Sequence, residues 1–298
     1  MPGPIGLIDA SIYFFRGYFG MPERWFDRRG VPSNAVYTFA RVLAQALSAH
    51  PRRLAVAFDE SLGTCFRHAI WPAYKANRVP PDDAVRAQFR HCRALCELLG
   101  VPHYGGPEFE ADDYLASLTR RALQGRGDIY IYSKDKDLRQ LLSDRVNILE
   151  QPGGTRMDRS TFEHEWAFPP RLWPDYQALV GDSSDNVPGV HGVGERSARL
   201  LIGAYGPLES VLASPGHWAR DGLRLARPAQ VEAALAADGA RALDMRRVLR
   251  LRRDVPLGRA PFARRGSGRG DTRRHALDRW LVATGLARPL AAALRSVA

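Results

Sequence analysis

The chain has 298 residues, 45% of them hydrophobic and 25% charged, enough for one large domain or a main domain with an appendage. No run approaches the roughly 20 apolar residues of a membrane helix, and an aspartate interrupts the N-terminus too early for a secretory signal, so the expected setting is the cytosol. Lys and Arg number 43 against 32 Asp and Glu, a net charge of +11 that favours polyanions such as nucleic acid, although plain solubility or a genomic bias towards arginine leaves the same mark.

In chain order, Ile5 to Asp9 reads as a short buried strand, and Asn34 to Ser48 carries helical periodicity. A second strand runs over Leu54 to Asp59. The helix predicted over Ala84 to Leu99 places Cys92 and Cys96 on one face. With Cys65 these cysteines form no CxxC pair, which points to plain thiols rather than to zinc or a disulfide. A helix over Ala111 to Leu123 precedes strands at Asp128 to Ser133 and Val146 to Leu149. This alternation predicts an α/β domain with a mainly parallel sheet over residues 1–170. Beyond it the strand signal stops, and 171–298 reads as short helices broken by Gly and Pro. Within that stretch, 259–274 is a Gly/Arg-rich basic loop before a final helix from His275. The aromatics Tyr13, Phe14, Phe15, Tyr18 and Phe19 read mainly as core, with stacking on an unpaired base as the alternative.

The acidic residues are grouped: Glu110, Asp112 and Asp113 in FEADD, Asp135 and Asp137 in SKDKD, Asp182 and Asp185 in GDSSDN, with Asp9 and Asp59 at strand ends. Any one of them alone is an ordinary cap or turn residue. Together they sit where open α/β sheets place their ligand crevice, outside the carboxyl ends of the strands. Glu110 and Asp113 share a helix face, Asp182 and Asp185 repeat that spacing, and Asp135 and Asp137 project the same way. Nine converging carboxylates cannot all stay ionised without cations. Hard oxygen donors without a matching His/Cys set favour Mg²⁺ or Mn²⁺ over Zn²⁺, and two such ions can activate water and stabilise the leaving oxygen of a phosphodiester. In VPGVHGVGERSA, Gly192, Gly194 and Ser197 nearly spell a dinucleotide fingerprint. The segment follows a Pro-Gly turn instead of a strand, which argues against a nucleotide cofactor and favours main-chain contacts to DNA phosphates at a helix start.

LIDAS, AVAFDE, FRHAIWPAYKANR, FEADDYLA, SKDKDLRQLL and GDSSDNVPGVHGVGERSA, in that order, resemble the 5′ nucleases, a family that includes flap endonucleases and the nuclease domain of bacterial DNA polymerase I. The resemblance implies a resolvase-like or PIN-like α/β core with a helical arch near 62–92, and a helix-hairpin-helix type motif near 186–203. It implies that Asp9, Asp59, Glu110, Asp112, Asp113, Asp135, Asp137, Asp182 and Asp185 surround two divalent ions. The first five with Asp135 are assigned to one ion and the remaining three to the other. It further implies that Lys75 and Arg67 hold the scissile phosphate, with Lys75 the stronger candidate, and that Arg78, Gly189, Gly192, Gly194, Arg196 and Ser197 contact DNA. A K⁺ in the hairpin is a further expectation. His191 and Arg196 depart from the residues the family commonly carries there.

The expected activity is structure-specific hydrolysis of DNA at 5′ flaps, gaps, nicks and free 5′ ends, by a monomer that associates with the nucleoid when bound to DNA. Two rivals stay open. One is a junction-binding protein with weak or no catalysis, against which the complete acid set counts. The other is a PIN-type ribonuclease, against which the glycine hairpin and the chain length count.

Overall fold

The computed structural model describes residues 3–50, 52–61, 63–218, 220–259, 261–262 and 270–298. The elements are β1 (Ile5–Asp9), α1 (Ala10–Gly20), α2 (Asn34–Ala49), β2 (Leu54–Ala57), α3 (Arg67–Ile70), α4 (Asp83–Leu98), β3 (His103–Tyr104), α5 (Ala111–Leu123), β4 (Ile129–Tyr132), β5 (Val146–Leu149), β6 (Arg156–Met157), α6 (Arg159–Trp166), α7 (Trp173–Val180), α8 (Glu195–Tyr205), α9 (Leu208–Leu212), α10 (Pro228–Leu249), α11 (Gly270–Ala283) and α12 (Ala287–Arg295). One sheet runs β3-β2-β1-β4-β5-β6, parallel except for β6, which pairs antiparallel with β5. The α/β reading holds. The two outer strands were missed because two residues are too short to show any period.

Register explains why chemistry collects at one edge. Asp9 of β1 lies beside Ala57 of β2, and Ile8 lies beside Tyr132 of β4, so the carboxyl ends of three neighbouring strands are level. Asp59 follows β2 by two residues and Asp135 follows β4 by three. Side chains alternate across the sheet: Leu7, Ala55, Ala57 and Ile131 face a core shared with α5, α7, α8 and α10. Ile8, Leu54, Val56 and Tyr132 face the other core with α1, α2 and α4.

The C-terminal helices correct the two-part reading of the chain. Leu277, Trp280, Leu281, Leu286, Leu290 and Leu294 join Phe14, Phe39, Leu43 and Cys92 in the second core, so α11 and α12 pack on α2 and α4 of the α/β part and do not extend the helical region. Their apolar spacing announces that a face must be covered, but not by which partner. The turn between them brings Gly285, at φ +69°, so close to the Phe26 carbonyl that a Cβ would collide with it. The expected final helix begins at Gly270, earlier than His275. Of the expected basic loop, residues 260 and 263–269 lie outside the described residues. All three cysteines are buried and unpaired, as expected.

Candidate active site

Each acid is placed by local backbone chemistry before it meets the others. Asp9 ends β1 and caps α1, accepting from the Ser11 and Ile12 amides at 3.1 and 3.4 Å, while its other oxygen accepts from Ser133 Oγ at 2.8 Å. Asp59 accepts from Ser61 Oγ at 3.0 Å. Asp135 caps a short 3₁₀ turn over Lys136–Leu141 by accepting from the Asp137 amide at 2.9 Å. Asp137 accepts from Gln177 Nε2 at 2.6 Å, and Asp182 from Ser184 Oγ at 2.6 Å. Asp112 stands in the first turn of α5, where the helix dipole favours negative charge.

The result is two overlapping triads. One oxygen each from Asp112, Asp135 and Asp137 fall within 4.8 Å of one another, and so do oxygens from Asp137, Asp182 and Asp185. The second triad is the expected one. The first keeps Asp112 and Asp135 from the expected set and adds Asp137, which the two share.

Charge balance divides the acids. Burial, and then Asp135, push Asp9 up to about 7, and burial followed by Asp135 pushes Asp137 to about 7 as well. Burial raises Asp112 well above the carboxylate range, reinforced by Asp135, Asp9 and Asp137. Asp59 and Asp135 are also raised, chiefly by burial. Glu110 behaves oppositely: burial opposes its ionisation, yet Lys75 at 2.5 Å and Arg67 at 3.4 Å hold it below its ordinary value. Asp182 is likewise lowered against burial, by Ser184 and by Lys136 at 3.0 Å. The chain's own cations therefore neutralise one part of the cluster and leave the other part short of positive charge. That second part is a set of oxygen donors suited to divalent cations, and the residues fit such ions on this ground.

Two expected site residues move out of the chemistry. Asp113 is completely buried, and both its oxygens are engaged by Arg67 at 2.6 and 2.8 Å. It also accepts from the amides of Glu110 at 3.1 Å and Arg252 at 2.9 Å. Arg67 is only 2% exposed and donates its Nε to the Val248 carbonyl at 2.8 Å, so neither group is open to an ion or a phosphate. Their sequence positions beside Glu110 and Lys75 gave no hint that they point into the protein, towards each other.

Of the expected arch near 62–92, the FRHAIWPAYKANR part is a single helical turn, α3, followed by turns through residue 77 and an extended stretch, and the beginning of α4 supplies the remainder. This segment is stitched to the GDSSDN loop: Trp71 Nε1 donates to the Asn186 carbonyl at 2.8 Å, the Lys75 amide to the Asp185 carbonyl at 2.9 Å, and Asn186 Nδ2 to the Ala73 carbonyl at 2.6 Å. The stitching holds Lys75 at φ +53°, a left-handed backbone that a non-glycine residue adopts only when its surroundings impose it. Lys75 Nζ lies 3.8 Å from Asp185 as well, and Arg78 pairs with that acid at 2.5 Å. Lys75, expected at the phosphate, and Arg78, expected at the DNA, therefore both stand at the rim of the acids. Tyr74, which donates to Glu110 at 2.9 Å and Asp185 at 3.1 Å, was overlooked, as were Ser133, Gln177 and Lys136. Tyr74, Ser133 and Lys136 sit inside the quoted motifs, which was the one signal available.

In the hairpin between α7 and α8, Gly192, Gly194 and Arg196 are exposed and Ser197 is half-buried, with Gly194 capping α8. Gly189 differs. A Cβ there would lie 2.5 Å from the Val180 backbone, so this glycine permits the close approach of turn and helix. The His191 amide is already taken by Asp238 at 3.1 Å. Of the aromatics on α1, Tyr13 and Phe14 are core, whereas Phe19 is 79% exposed and stacks on Phe15.

The family described as 5′-3′ exonuclease, N-terminal resolvase-like domain, matches residues 4–167, and its companion, the C-terminal SAM fold, matches residues 168–265. The chain belongs to the 5′-3′ exonuclease family. It is 34% identical over 256 residues to the thermostable DNA polymerase I of Thermus filiformis, covering 86% of this chain and 29% of the polymerase. DNA polymerase I of Mycobacterium tuberculosis is 35% identical over 261 residues, with 86% and 28% covered. The chain thus spans under a third of the length of these polymerases. Among solved structures, the bacteriophage T5 flap endonuclease in a pseudo-enzyme–product complex with DNA and metal ions matches with a TM-score of 0.64 at 16% identity, covering 99% of this chain and 97% of that one. The catalytic core of Rad2 with DNA substrate matches at 0.63 and 16% identity, with 97% and 91% covered. At those identities the likeness is one of fold, and within that fold the acids lie at the carboxyl edge of the family's resolvase-like sheet.

Proposed function

We propose that this family member hydrolyses DNA phosphodiesters at 5′ ends and 5′ flaps, acting as a monomer in the cytosol with two Mg²⁺ or Mn²⁺ ions. The observation that carries this reading is the pair of carboxylate triads joined through Asp137, in a cluster where several acids lack a protein cation. Asp112, Asp135 and Asp137 would hold one ion, and Asp137, Asp182 and Asp185 the other. When bound, such ions activate the attacking water and neutralise charge on the leaving oxygen.

The chain's own groups do the rest. Asp9 and Asp59 stand beside the triads and supply further acceptors for ordered water. Lys75, mostly buried and held above its ordinary range by Glu110, Asp185 and Asp59 against the effect of burial, stays protonated and presents fixed positive charge to a phosphate entering at the rim. Preorganised charge of this kind stabilises a phosphoryl transition state without having to reorganise. Arg78 adds a second cation on the same side. The exposed start of α8 offers main-chain N–H groups at Gly192 and Gly194 and the side chains of Arg196 and Ser197. These contacts read backbone and not sequence, as a structure-specific nuclease requires. A K⁺ in this hairpin belongs to the same proposal. The T5 and Rad2 complexes, which hold DNA, support the reading by likeness of fold.

The test is cleavage of a 5′-labelled flap duplex with and without Mg²⁺. Cleavage should require the ion and fall by about a thousandfold or more in Asp135→Ala. A folded, Mg²⁺-supplied preparation that cuts no flap, gapped or blunt DNA would sink the proposal, and a clear preference for RNA strands would redirect it.

A further inference from the structure

Away from the acids, a groove of about 840 Å³ lies between α5, the C-terminal end of α10 and the segment 250–254 that follows it. Seven arginines and three carboxylates line it. The carboxylates are already committed: Arg246 holds Asp175 at 2.9 Å and Glu209 at 2.5 Å, and Arg252 holds Asp254 at 2.8 Å. Arg120 and Arg253 spend single donors on backbone carbonyls. Arg171 and Arg250 are exposed and form no ion pair among the described residues. Arg253, open at the rim yet enclosed by neighbouring protein, is held below its ordinary range first by that enclosure and then by repulsion from Arg250 and Arg120. The groove thus carries more positive charge than its own acids answer.

The floor is aliphatic, formed by Ile70, Leu172, Pro174 and Leu251. Its inner wall is rigid, because the Val248 carbonyl is bound by the buried Arg67 and the Arg252 amide by Asp113. We propose that this groove docks a short acidic segment of a partner protein, one that alternates Asp or Glu with aliphatic side chains. Planar guanidinium groups take carboxylates in pairs, and an apolar floor between them rewards apolar side chains spaced along the same segment.

Nucleic acid fits less well. The one aromatic ring lining the groove, Phe66, already carries the guanidinium groups of Arg67 and Arg252 at 4.6 and 5.4 Å, so no face is shown to be open for a base to stack on. The volume is also that of a compact ligand site and not of a track along a duplex.

The test uses the full chain and a fluorescein-labelled peptide alternating aspartate with leucine, read by anisotropy. Saturable binding is expected, weakened about tenfold or more in Arg171→Glu/Arg250→Glu and unchanged in Arg28→Glu/Arg29→Glu, which alters net charge equally elsewhere. Replacing the peptide's aspartates by asparagine, or its leucines by serine, should weaken binding similarly. Absence of binding, or equal loss in both double variants, overturns the proposal. So does an oligothymidylate that displaces the peptide and loses its own affinity in Arg171→Glu/Arg250→Glu, since the groove would then belong to nucleic acid. Flap cleavage by that variant should stay at its normal rate, and a parallel fall in cleavage likewise counts against a protein partner.

Discussion

Glu110 and Asp112 are neighbours at the start of one helix, yet the fold treats them oppositely. Glu110 is met by Lys75, Arg67 and Tyr74 and ionises more readily than a free glutamate, while Asp112 faces Asp9, Asp135 and Asp137 and ionises far less readily. The same division separates Asp182, which Lys136 answers, from Asp137, which accepts from the Gln177 amide and meets no cation among the described residues. Glu110 is satisfied internally and builds the frame. Asp112 and Asp137 are left to be completed from outside, and Asp182 and Asp185, although already met by cations of the chain, would join Asp137 around the second ion.

The largest effect should come from removing a charge on the unsatisfied side. Asp112→Asn is expected to lower flap cleavage by about a thousandfold, while raising the melting temperature of the metal-free protein by roughly 3 °C or more, because a repelled buried charge is gone. An activity loss accompanied by a fall in melting temperature would place Asp112 with the frame. On the satisfied side, Arg67→Ala strands the buried Asp113 carboxylate and should cost about 3–5 kcal/mol of stability by denaturant unfolding. A loss of activity at unchanged stability would restore Arg67 to phosphate binding.

The pH dependence sharpens the contrast. Asp9 and Asp137, pushed up to about 7, bind protons more tightly in the folded than in the unfolded chain. Their protonation therefore stabilises the fold below about pH 4, and that contribution is lost as pH rises through about 7. The metal-free protein should melt higher at pH 5.5 than at pH 8, to the extent that these groups dominate, and saturating Mg²⁺ should shrink or reverse the difference. A flat profile without metal would mean the repulsion is relieved some other way. The smallest effect belongs to the hairpin: Arg196→Ala should raise KM for flap DNA a few-fold, reduce the salt dependence of binding and leave kcat nearly unchanged.

Much of the site was legible because its acids are tied to short-range signals. An aspartate that ends or closely follows a strand and caps the next helical turn must stand at the sheet's edge, and Asp9 and Asp135 do so for that reason. Asp113 misled because two acids in one helical turn look alike until the partner is known, and Arg67 comes from a segment 46 residues away. Gly189 looked like its neighbours because a turn glycine and a packing glycine share one letter.

By itself the sequence determined the order of the four longer strands and of the main helices between them, the carboxyl-edge crevice and the surplus of acid there, since periodicity, capping and charge are local properties. Only the tertiary structure decided which acids found a cation within the chain, that Lys75 is locked to the loop of Asp185, and that α11 and α12 return to pack on α2 and α4. Those outcomes depend on contacts between segments far apart in the chain. Burial then turns each such contact into a shift in charge or in packing that no residue announces alone.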